Sequence, residues 1–267
     1  MDKIGLIAGN RKFPFIFAQE AKKKGLAVIA IGIKGDTAPR LKHYVDKIYW
    51  IGLSEFGRMF EIFKQEGIKQ AVMAGQITPT RLFRAEVAQD EELKKLLSSI
   101  KDKKADTIFG AIAQRLEEAG VELLSSVTFI EDYLPKKGTL TKVEPDFLVW
   151  EDVYFGLDLA KAIGYLDIGQ TVAVKDKAVV AVEALEGTDN LIRRAGRITR
   201  GGVTVVKVSK PKQDVRFDIP VVGLNTVKTM LKAGAKCLAI EADKTLFIDK
   251  EESLKLADKK GLAIVAI

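Results

Sequence analysis

The chain has very few of the residues from which common redox and metal sites are built. Its 267 residues include a single cysteine, Cys237, and a single histidine, His43. One cysteine excludes a disulfide within the chain and favours a reducing compartment, so we expect the cytoplasm. One histidine disfavours a histidine-rich metal site and a Ser-His-Asp triad.

The sequence also lacks a membrane-spanning segment and a long basic run, which limits the classes of partner that we expect. The sequence contains no apolar run long enough to span a bilayer and no signal-peptide pattern. The net charge is +7, yet no basic run is longer than the three lysines at 22–24. This pattern does not favour a nucleic-acid partner. It favours an anionic substrate or an acidic membrane surface, which the protein would contact peripherally.

The first half of the chain alternates apolar strand-like runs with segments of helical spacing. The predicted strands are Lys3–Ala8, Leu26–Ile31, Lys47–Ile51, Gln70–Ala74 and Val121–Ser125. The predicted helices are Phe15–Lys24, a segment from an N-cap at Ser54 to Glu66, Thr80–Lys104 in two pieces, and Thr107–Ala119. Alternation of this kind predicts an α/β fold that opens with a Rossmann-like parallel sheet.

The pattern changes after a stretch with linker character. We predict a Rossmann-like domain at 1–132, a linker at 133–140, and a second α/β domain with a mixed sheet at 141–267 that carries the acidic motifs. A strand hairpin is expected from Gln170–Val174 and Ala178–Ala184. Thr188 is expected to cap the helix that follows it.

The loop after the first strand is a candidate phosphate site, because Rossmann-like folds hold phosphate at this helix N-terminus. Gly9, Asn10 and Arg11 occupy it, although the full Gly-x-Gly-x-x-Gly motif is absent. Gln76 follows the fourth strand. It should lie beside this loop, since the carboxyl ends of parallel strands meet at one edge.

Two acidic clusters in the second half carry the clearest chemical signal. They span Val182–Arg194 and Lys210–Gly223, with the acids Glu183, Glu186, Asp189, Asp214 and Asp218 interleaved with the bases Arg193, Arg194, Lys210 and Arg216. Carboxylates hold a divalent metal while arginines hold an anion. The alternatives are surface ion pairs and an acidic first helical turn.

Asp214 and Asp218 stand four residues apart between two prolines, which disfavours a helix and favours an extended or irregular segment. In an extended segment both carboxylates and Arg216 would share one face. That arrangement predicts a metal ligand or general base beside a phosphate clamp, so these three residues are the candidate catalytic set.

Four stretches together support a family resemblance. They are Gly5–Asn10, Leu166–Gln170, Val182–Asp189 and Lys210–Pro220. On these motifs the chain resembles the LpxI family, the UDP-2,3-diacylglucosamine pyrophosphatases of lipid A biosynthesis. Arg11 departs from the resemblance, because the family often has glycine there.

The resemblance implies hydrolysis of UDP-2,3-diacylglucosamine, a lipid-linked nucleotide sugar, to UMP and 2,3-diacylglucosamine 1-phosphate (lipid X). It implies Mg²⁺, with Mn²⁺ as the alternative ion, and water attacking the α-phosphorus. It also implies a cytoplasmic enzyme that lies peripherally at the inner face of the inner membrane. A homodimer is left open.

The resemblance also assigns roles to individual residues. The key aspartate falls at Asp214 first and Asp218 second. The expected metal ligands are Asp214, Glu183, Glu186 and Asp189. The expected substrate-binding residues are Gly9, Asn10, Arg11, Gln76, Thr188, Arg193, Lys210 and Gln213.

Two rival functions remain open on the sequence. A Rossmann-type nucleotide-sugar oxidoreductase would need the glycine motif that is incomplete here. A non-catalytic protein that binds acidic lipids would explain the basic charge, but it leaves the carboxylate clusters without a purpose.

Overall fold

The computed structural model describes residues 1–77, 90–102, 105–211 and 213–267, with the side chains of 105 and 106 excepted. Backbone contacts divide the chain into two compact units. The first comprises Met1–Glu131 together with Asp214–Asp218. The second comprises Asp132–Gln213 and Ile219–Ile267. The acidic segment 214–218 is therefore grouped with the first unit, although it is far from it in sequence.

The first unit contains the predicted parallel sheet. Its strands are β1 (Lys3–Ala8), β2 (Ala27–Ile33), β3 (Lys47–Ile51), β4 (Gln70–Ala74) and β5 (Glu122–Leu123). They are ordered β3-β2-β1-β4-β5, and all neighbours are parallel. The chain order reverses between β1 and β4. In open α/β sheets such a switch point is where ligands bind.

Among the described residues of this unit, four helices accompany the sheet. They are α1 (Phe13–Lys23), α2 (Arg58–Glu66), α3 (Glu91–Ser99) and α4 (Ala105–Glu118). Their apolar sides bury large residues, among them Phe17 and Phe63, which are fully buried. Part of the predicted helical stretch Thr80–Lys104, namely 80–89 and 103–104, lies outside the described residues. Within the described part, Asp90 caps α3 by accepting the Leu93 N–H at 2.8 Å.

The N-cap prediction at Ser54 is wrong. A short 3₁₀ turn at Leu53–Glu55 comes first, because the Glu55 side chain accepts the Gly52 N–H at 2.9 Å. The helix α2 then begins after Gly57. Its other end agrees with the prediction, since Gly67 ends the helix in the left-handed conformation.

The second unit has the expected mixed sheet. Its strands are β6 (Gly138–Thr139), β7 (Thr171–Lys175), β8 (Ala178–Val182), β9 (Thr204–Lys207), β10 (Val221–Gly223), β11 (Cys237–Ile240), β12 (Leu246–Ile248) and β13 (Ala263–Ala266). Six strands are ordered β6-β13-β11-β9-β7-β8, while β10 and β12 pair separately. The predicted hairpin is present as antiparallel β7 and β8.

Helices cover both faces of the six-stranded sheet. They are α5 (Phe147–Tyr165), α6 (Thr188–Thr199), α7 (Leu224–Lys232) and α8 (Lys250–Lys260). Val206 packs with α5, whereas its neighbour Val205 packs with α6, α7 and α8. Successive strand residues point to opposite faces, so one apolar run serves two cores.

Cys237 lies in β11 and is fully buried, as its apolar surroundings in the sequence predict. Burial raises the pKa of its thiol to about 12. In the described part of the chain, no helix has the length and apolarity needed to cross a membrane.

Glu66 at the end of α2 yields a prediction about acid stability. Hydrogen bonds from Lys47, Tyr49 and Lys3 lower its pKa from 4.5 to about 2. The folded state thus favours the ionised form, and this stabilisation is complete above pH 4.5. It should be lost as the pH falls towards 2.

We expect Glu66→Gln to lower the unfolding free energy at pH 6 and to leave it nearly unchanged at pH 2. Urea unfolding across this range measures the difference. Glu61→Gln, an exposed position on the same helix, is the matched control. A constant difference between wild type and Glu66→Gln at every pH would contradict the argument.

Candidate active site

The loops after β1 and β4 lie side by side, as expected from the parallel sheet. The Gly9 N–H donates to the Ala74 carbonyl, and the Asn10 N–H donates to the Gln76 carbonyl, both at 2.8 Å. Gly75 has a φ of +87°, and a Cβ added there would lie 2.5 Å from the Asn10 carbonyl oxygen. Glycine is thus required for this close approach. Whether these residues bind substrate stays a prediction.

The side chains of this loop are arranged differently from one another. The Asn10 amide oxygen is buried, and no donor reaches it among the described residues. Arg11 is exposed and has a φ of +66°, in the left-handed region. This conformation favours glycine, which gives a physical reason for the glycine that the resemblance leads one to expect there.

The segment 214–218 is attached to the carboxyl edge of the first sheet. The Ser126 hydroxyl lies 2.8 Å from the carbonyl oxygens of Met73 and Arg216. The Ser126 N–H donates to the Val215 carbonyl at 2.8 Å. Phe217 packs on the core of this unit, with its ring 5.8 Å from that of Phe109. Since Met73 lies in β4 and Ser126 follows β5, the attachment is on the same edge as Gly9 and Gln76.

Of the two conformations predicted for this segment, extended or irregular, it adopts the irregular one. The N–H groups of Phe217 and Asp218 both donate to the Asp214 carbonyl, at 3.2 and 2.9 Å. The backbone therefore forms a turn. The turn is stabilised because the Asp214 side chain also accepts the backbone N–H of Arg216, two residues further on, at 3.0 Å.

Asp214 and Arg216 form a tight ion pair. The Arg216 Nε and Nη2 atoms contact both carboxylate oxygens, with Nη2 2.7 Å from Oδ2, and the Arg216 N–H donates to Oδ1 at 3.0 Å. These bonds lower the pKa of Asp214, chiefly through the guanidinium. Arg216 also contacts Glu117 at 2.8 Å.

The lowered pKa limits what Asp214 can do. A carboxylate that is ionised well below neutral pH is a weak proton acceptor. It is better suited to orient water or to ligate a cation. Asp214 and Arg216 remain about one third exposed, at 31% and 34% of their side-chain areas. Both are therefore accessible to a ligand.

A second polar cluster occupies one edge of the six-stranded sheet. Thr171 and Lys207 are paired residues of β7 and β9, and Glu183 follows β8. The Thr188 hydroxyl donates to Glu183 Oε1 at 2.9 Å and accepts from Lys207 Nζ at 2.8 Å. Both charged side chains belong to residues that are 6% exposed.

The prediction that Thr188 is the N-cap is wrong. Gly187, with a φ of +79°, occupies that position, and Thr188 is the first residue of α6. The hydroxyl of Thr188 is directed to Glu183 instead of the helix backbone. This places a helix N-terminus beside the buried charges.

The remaining acids of this region have separate partners. Glu186 forms an ion pair with Arg194, and Asp189 Oδ2 accepts from Asn225 at 2.6 Å. Arg193 donates to Asn190 at 2.7 Å. In the described part of each unit, no three acidic, histidine or cysteine side chains converge to hold a metal.

This arrangement limits how a metal could bind. Mg²⁺ is commonly held by one or two carboxylates together with phosphate and water. Asp214 and Glu183 each fit that lesser role, as ionisable carboxyl groups on the two clusters. Each of these carboxylates by itself would supply one of the ligands of such a metal, with phosphate and water supplying the others.

Lys210 and Gln213 lie in the chain that leads to the 214–218 turn. Lys210 Nζ is 2.8 Å from Asp167 Oδ1. The Gln213 amide oxygen accepts from the Ser209 hydroxyl and from the Lys210 N–H. Glu241 accepts the Ser209 N–H at 2.9 Å. These bonds fix the backbone just before Asp214.

Two residues in these clusters escaped the sequence analysis. Lys207 had a usable signal, since a lone lysine ends the apolar run of β9. Ser126 had none, because its contacts to Met73 and Arg216 join parts of the chain that are distant in sequence.

The fold and the two clusters define a two-unit α/β protein with charged groups at the strand ends of both sheets. Family models identify it further. The LpxI N-terminal domain matches residues 3–133, and the LpxI C-terminal domain matches residues 136–265. The chain belongs to the LpxI family.

A curated relative agrees over the full length. It is the UDP-2,3-diacylglucosamine pyrophosphatase LpxI of Caulobacter vibrioides, which is 31% identical over 277 residues. The alignment covers 100% of this chain and 98% of the relative.

Two solved structures show a remote likeness. Pyruvate carboxylase from Rhizobium etli has a TM-score of 0.30 at 12% identity, covering 48% of this chain and 12% of that one. A biotin carboxylase domain of a thermophilic 2-oxoglutarate carboxylase has a TM-score of 0.29 at 15% identity. That match covers 54% of this chain and 32% of the other. Similarity this low carries no argument.

Arg11 yields a prediction about stability. A residue with a side chain loses about 1–2 kcal/mol of free energy in the left-handed conformation. Replacing Arg11 with glycine should remove this loss. The greater freedom of glycine in the unfolded chain offsets part of this, so we expect Arg11→Gly to stabilise by about 0.5–1 kcal/mol.

Chemical denaturation measures this change. Lys24→Gly is the matched control. Lys24 is the C-cap of α1, the helix that follows Arg11, and its φ of −81° is an ordinary value for a residue with a side chain. The control substitution should destabilise the protein. A loss of stability in Arg11→Gly equal to that of the control would refute the strain argument.

Proposed function

We propose that this protein hydrolyses UDP-2,3-diacylglucosamine to UMP and 2,3-diacylglucosamine 1-phosphate. The full-length relative supports the substrate. In the structure, the observation that carries the proposal is the ionised Asp214–Arg216 pair, held at the switch-point edge of the first sheet. That edge is where α/β proteins bind nucleotides and phosphates.

The reaction requires a nucleophilic water and charge stabilisation. Water forms a new P–O bond, the anhydride P–O bond breaks, and the proton of the water passes to solvent. Asp214 orients the water or ligates a metal, and Arg216 offsets charge on the diphosphate. Asp218 is the second candidate for the role of Asp214. A bound Mg²⁺ or Mn²⁺ would polarise the phosphoryl oxygen.

The other assigned residues complete the proposal. Asn10 and Gln76 contact the substrate at the first edge. In the second unit, taken by itself, Thr188 and Lys210 are the proposed polar contacts and Glu183 is the proposed carboxylate for a metal. The net charge of +7 supports a cytoplasmic protein that lies on an anionic membrane surface, where this lipid substrate resides.

Incubation in ¹⁸O-labelled water tests the reaction. Purified protein is given UDP-2,3-diacylglucosamine with Mg²⁺, with Mn²⁺ or with chelator, and products are read by mass spectrometry. We expect UMP and the sugar 1-phosphate only with metal. Binding without turnover under every metal would favour an acidic-lipid-binding protein instead.

The label also locates the attack. The expectation of attack on the α-phosphorus comes from the resemblance alone, and it requires the label in UMP. Label in the sugar 1-phosphate would mean attack on the β-phosphorus, and that part of the proposal would then be replaced.

Substitution of the ion pair gives a further prediction. Asp214→Asn should lower kcat by at least about a hundredfold, the scale of loss for a preorganised charged group. Arg216→Lys should lower it less, because one charge is kept while the two-pronged contact is lost. Asp176→Asn, at an exposed turn, is the control and should be unaffected.

Circular dichroism and urea unfolding must show that each variant is folded. Near-wild-type turnover by folded Asp214→Asn would reject the role of Asp214. The same assay on Asp218→Asn would then decide between the two aspartates.

A further inference from the structure

Lys207 is a buried cation with few partners. It ends β9, is 6% exposed, and its ammonium donates to the Thr188 hydroxyl at 2.8 Å. An ammonium group carries three donors. In the parts of the chain that the structure describes, Thr188 is the single acceptor that Lys207 contacts.

Such a group is costly in a folded protein unless a negative charge approaches it. Glu183 is buried nearby, but it receives the Thr188 hydroxyl and the Gln170 N–H, at 2.9 and 3.4 Å. Thr188 therefore stands between the two charges, and no direct ion pair joins them within the described residues. Two donors of Lys207 are therefore left without an acceptor in the described part of the chain.

The surroundings contain complementary unsatisfied groups. Gln170 Oε1 and Asp189 Oδ1 are both buried, and no described residue donates to either. The N-terminus of α6 adds partial positive charge beside Thr188. The carboxylates at this edge include Glu183, Asp189 and Glu241. Asn225 contacts Asp189, while Lys161 and the Ser209 N–H contact Glu241. A polar ligand that carries both an anion and hydroxyl groups would satisfy the set.

We propose that Lys207 binds a phosphate oxygen of the substrate at this edge of the second sheet. The inference rests on the proposed function, because it takes the ligand to be a phosphate group of a nucleotide sugar. The two remaining ammonium donors contact the phosphate, while the buried acceptors receive hydroxyl groups of the same ligand. Thr188 sets the direction of the ammonium group.

The opposing explanation is purely structural. In that case Lys207 serves as the counter-charge of Glu183, and its removal would leave a buried carboxylate uncompensated. The two explanations differ in the ligand-free protein. A ligand-binding cation can be replaced by an apolar side chain without loss of stability, whereas a structural counter-charge cannot.

Binding of inorganic pyrophosphate by isothermal titration calorimetry tests the proposal. We expect Lys207→Met and Lys207→Gln to weaken binding about 10- to 100-fold, the usual effect of losing a hydrogen bond to a charged group. Lys207→Arg should stay within a few fold of wild type, because it keeps the charge. Added salt should weaken wild-type binding more than that of Lys207→Met.

Lys175→Met is the matched control. Lys175 ends β7 in the same sheet, away from Thr171, and donates to the Gly201 carbonyl at 3.2 Å. It should bind pyrophosphate like wild type. Urea unfolding without ligand should give Lys207→Met a midpoint at or above that of wild type. A Lys207→Met variant that does not fold would favour the structural explanation, and pyrophosphate binding by Lys207→Gln compared with Lys207→Arg then tests the phosphate contact by itself.

Three results would overturn the inference. They are no pyrophosphate binding by wild type, unchanged binding by Lys207→Gln, and a lowered unfolding midpoint of Lys207→Met with unchanged binding. Failure of the proposed function looks different. Binding of pyrophosphate would still depend on Lys207, but UDP-2,3-diacylglucosamine would not be hydrolysed. UMP and glucosamine 1-phosphate, titrated separately, distinguish which phosphate the lysine binds.

Discussion

The contact between Ser126 and the 214–218 turn is the constraint on which the rest of the first cluster depends. One hydroxyl lies against the carbonyl oxygens of Met73 and Arg216, and Phe217 fills a place in the same core. A segment that is distant in sequence is thereby held at the switch point of the sheet. Its ion pair of Asp214 with Arg216 then has a fixed position on the same edge of the sheet as the loop of Asn10.

The second unit holds its charged cluster at one edge of the six-stranded sheet. Both faces of its sheet are covered by the apolar sides of amphipathic helices, so the buried charged groups of this cluster lie at an edge. There Lys207, Thr188 and Glu183 share one hydrogen-bonded chain at the start of α6. Such a cluster leaves donors and acceptors unmatched. This is costly for folding alone but useful for binding a polar anion.

Features set by neighbouring residues in the sequence were predicted better than features set by contacts between distant segments. The strand ends at Ala8 and Ala74 and the helix end at Gly67 were predicted correctly, because apolar periodicity and backbone propensity act locally. The caps assigned to Ser54 and Thr188 failed. At the first position, Glu55 accepts the Gly52 N–H and forms a 3₁₀ turn before the helix begins. At the second, the Thr188 hydroxyl donates to Glu183 and does not cap the helix.

The sequence by itself determined the α/β class, the parallel opening sheet, the mixed second sheet and the two acidic motifs. Only the tertiary structure decided that 214–218 belongs with the first unit, that it forms a turn, and that Lys207 is buried against Thr188. The physical reason is that the spacing of apolar residues in the sequence indicates which side chains become buried. Hydrogen bonds between distant segments are chosen by geometry, which exists only once both sheets have formed.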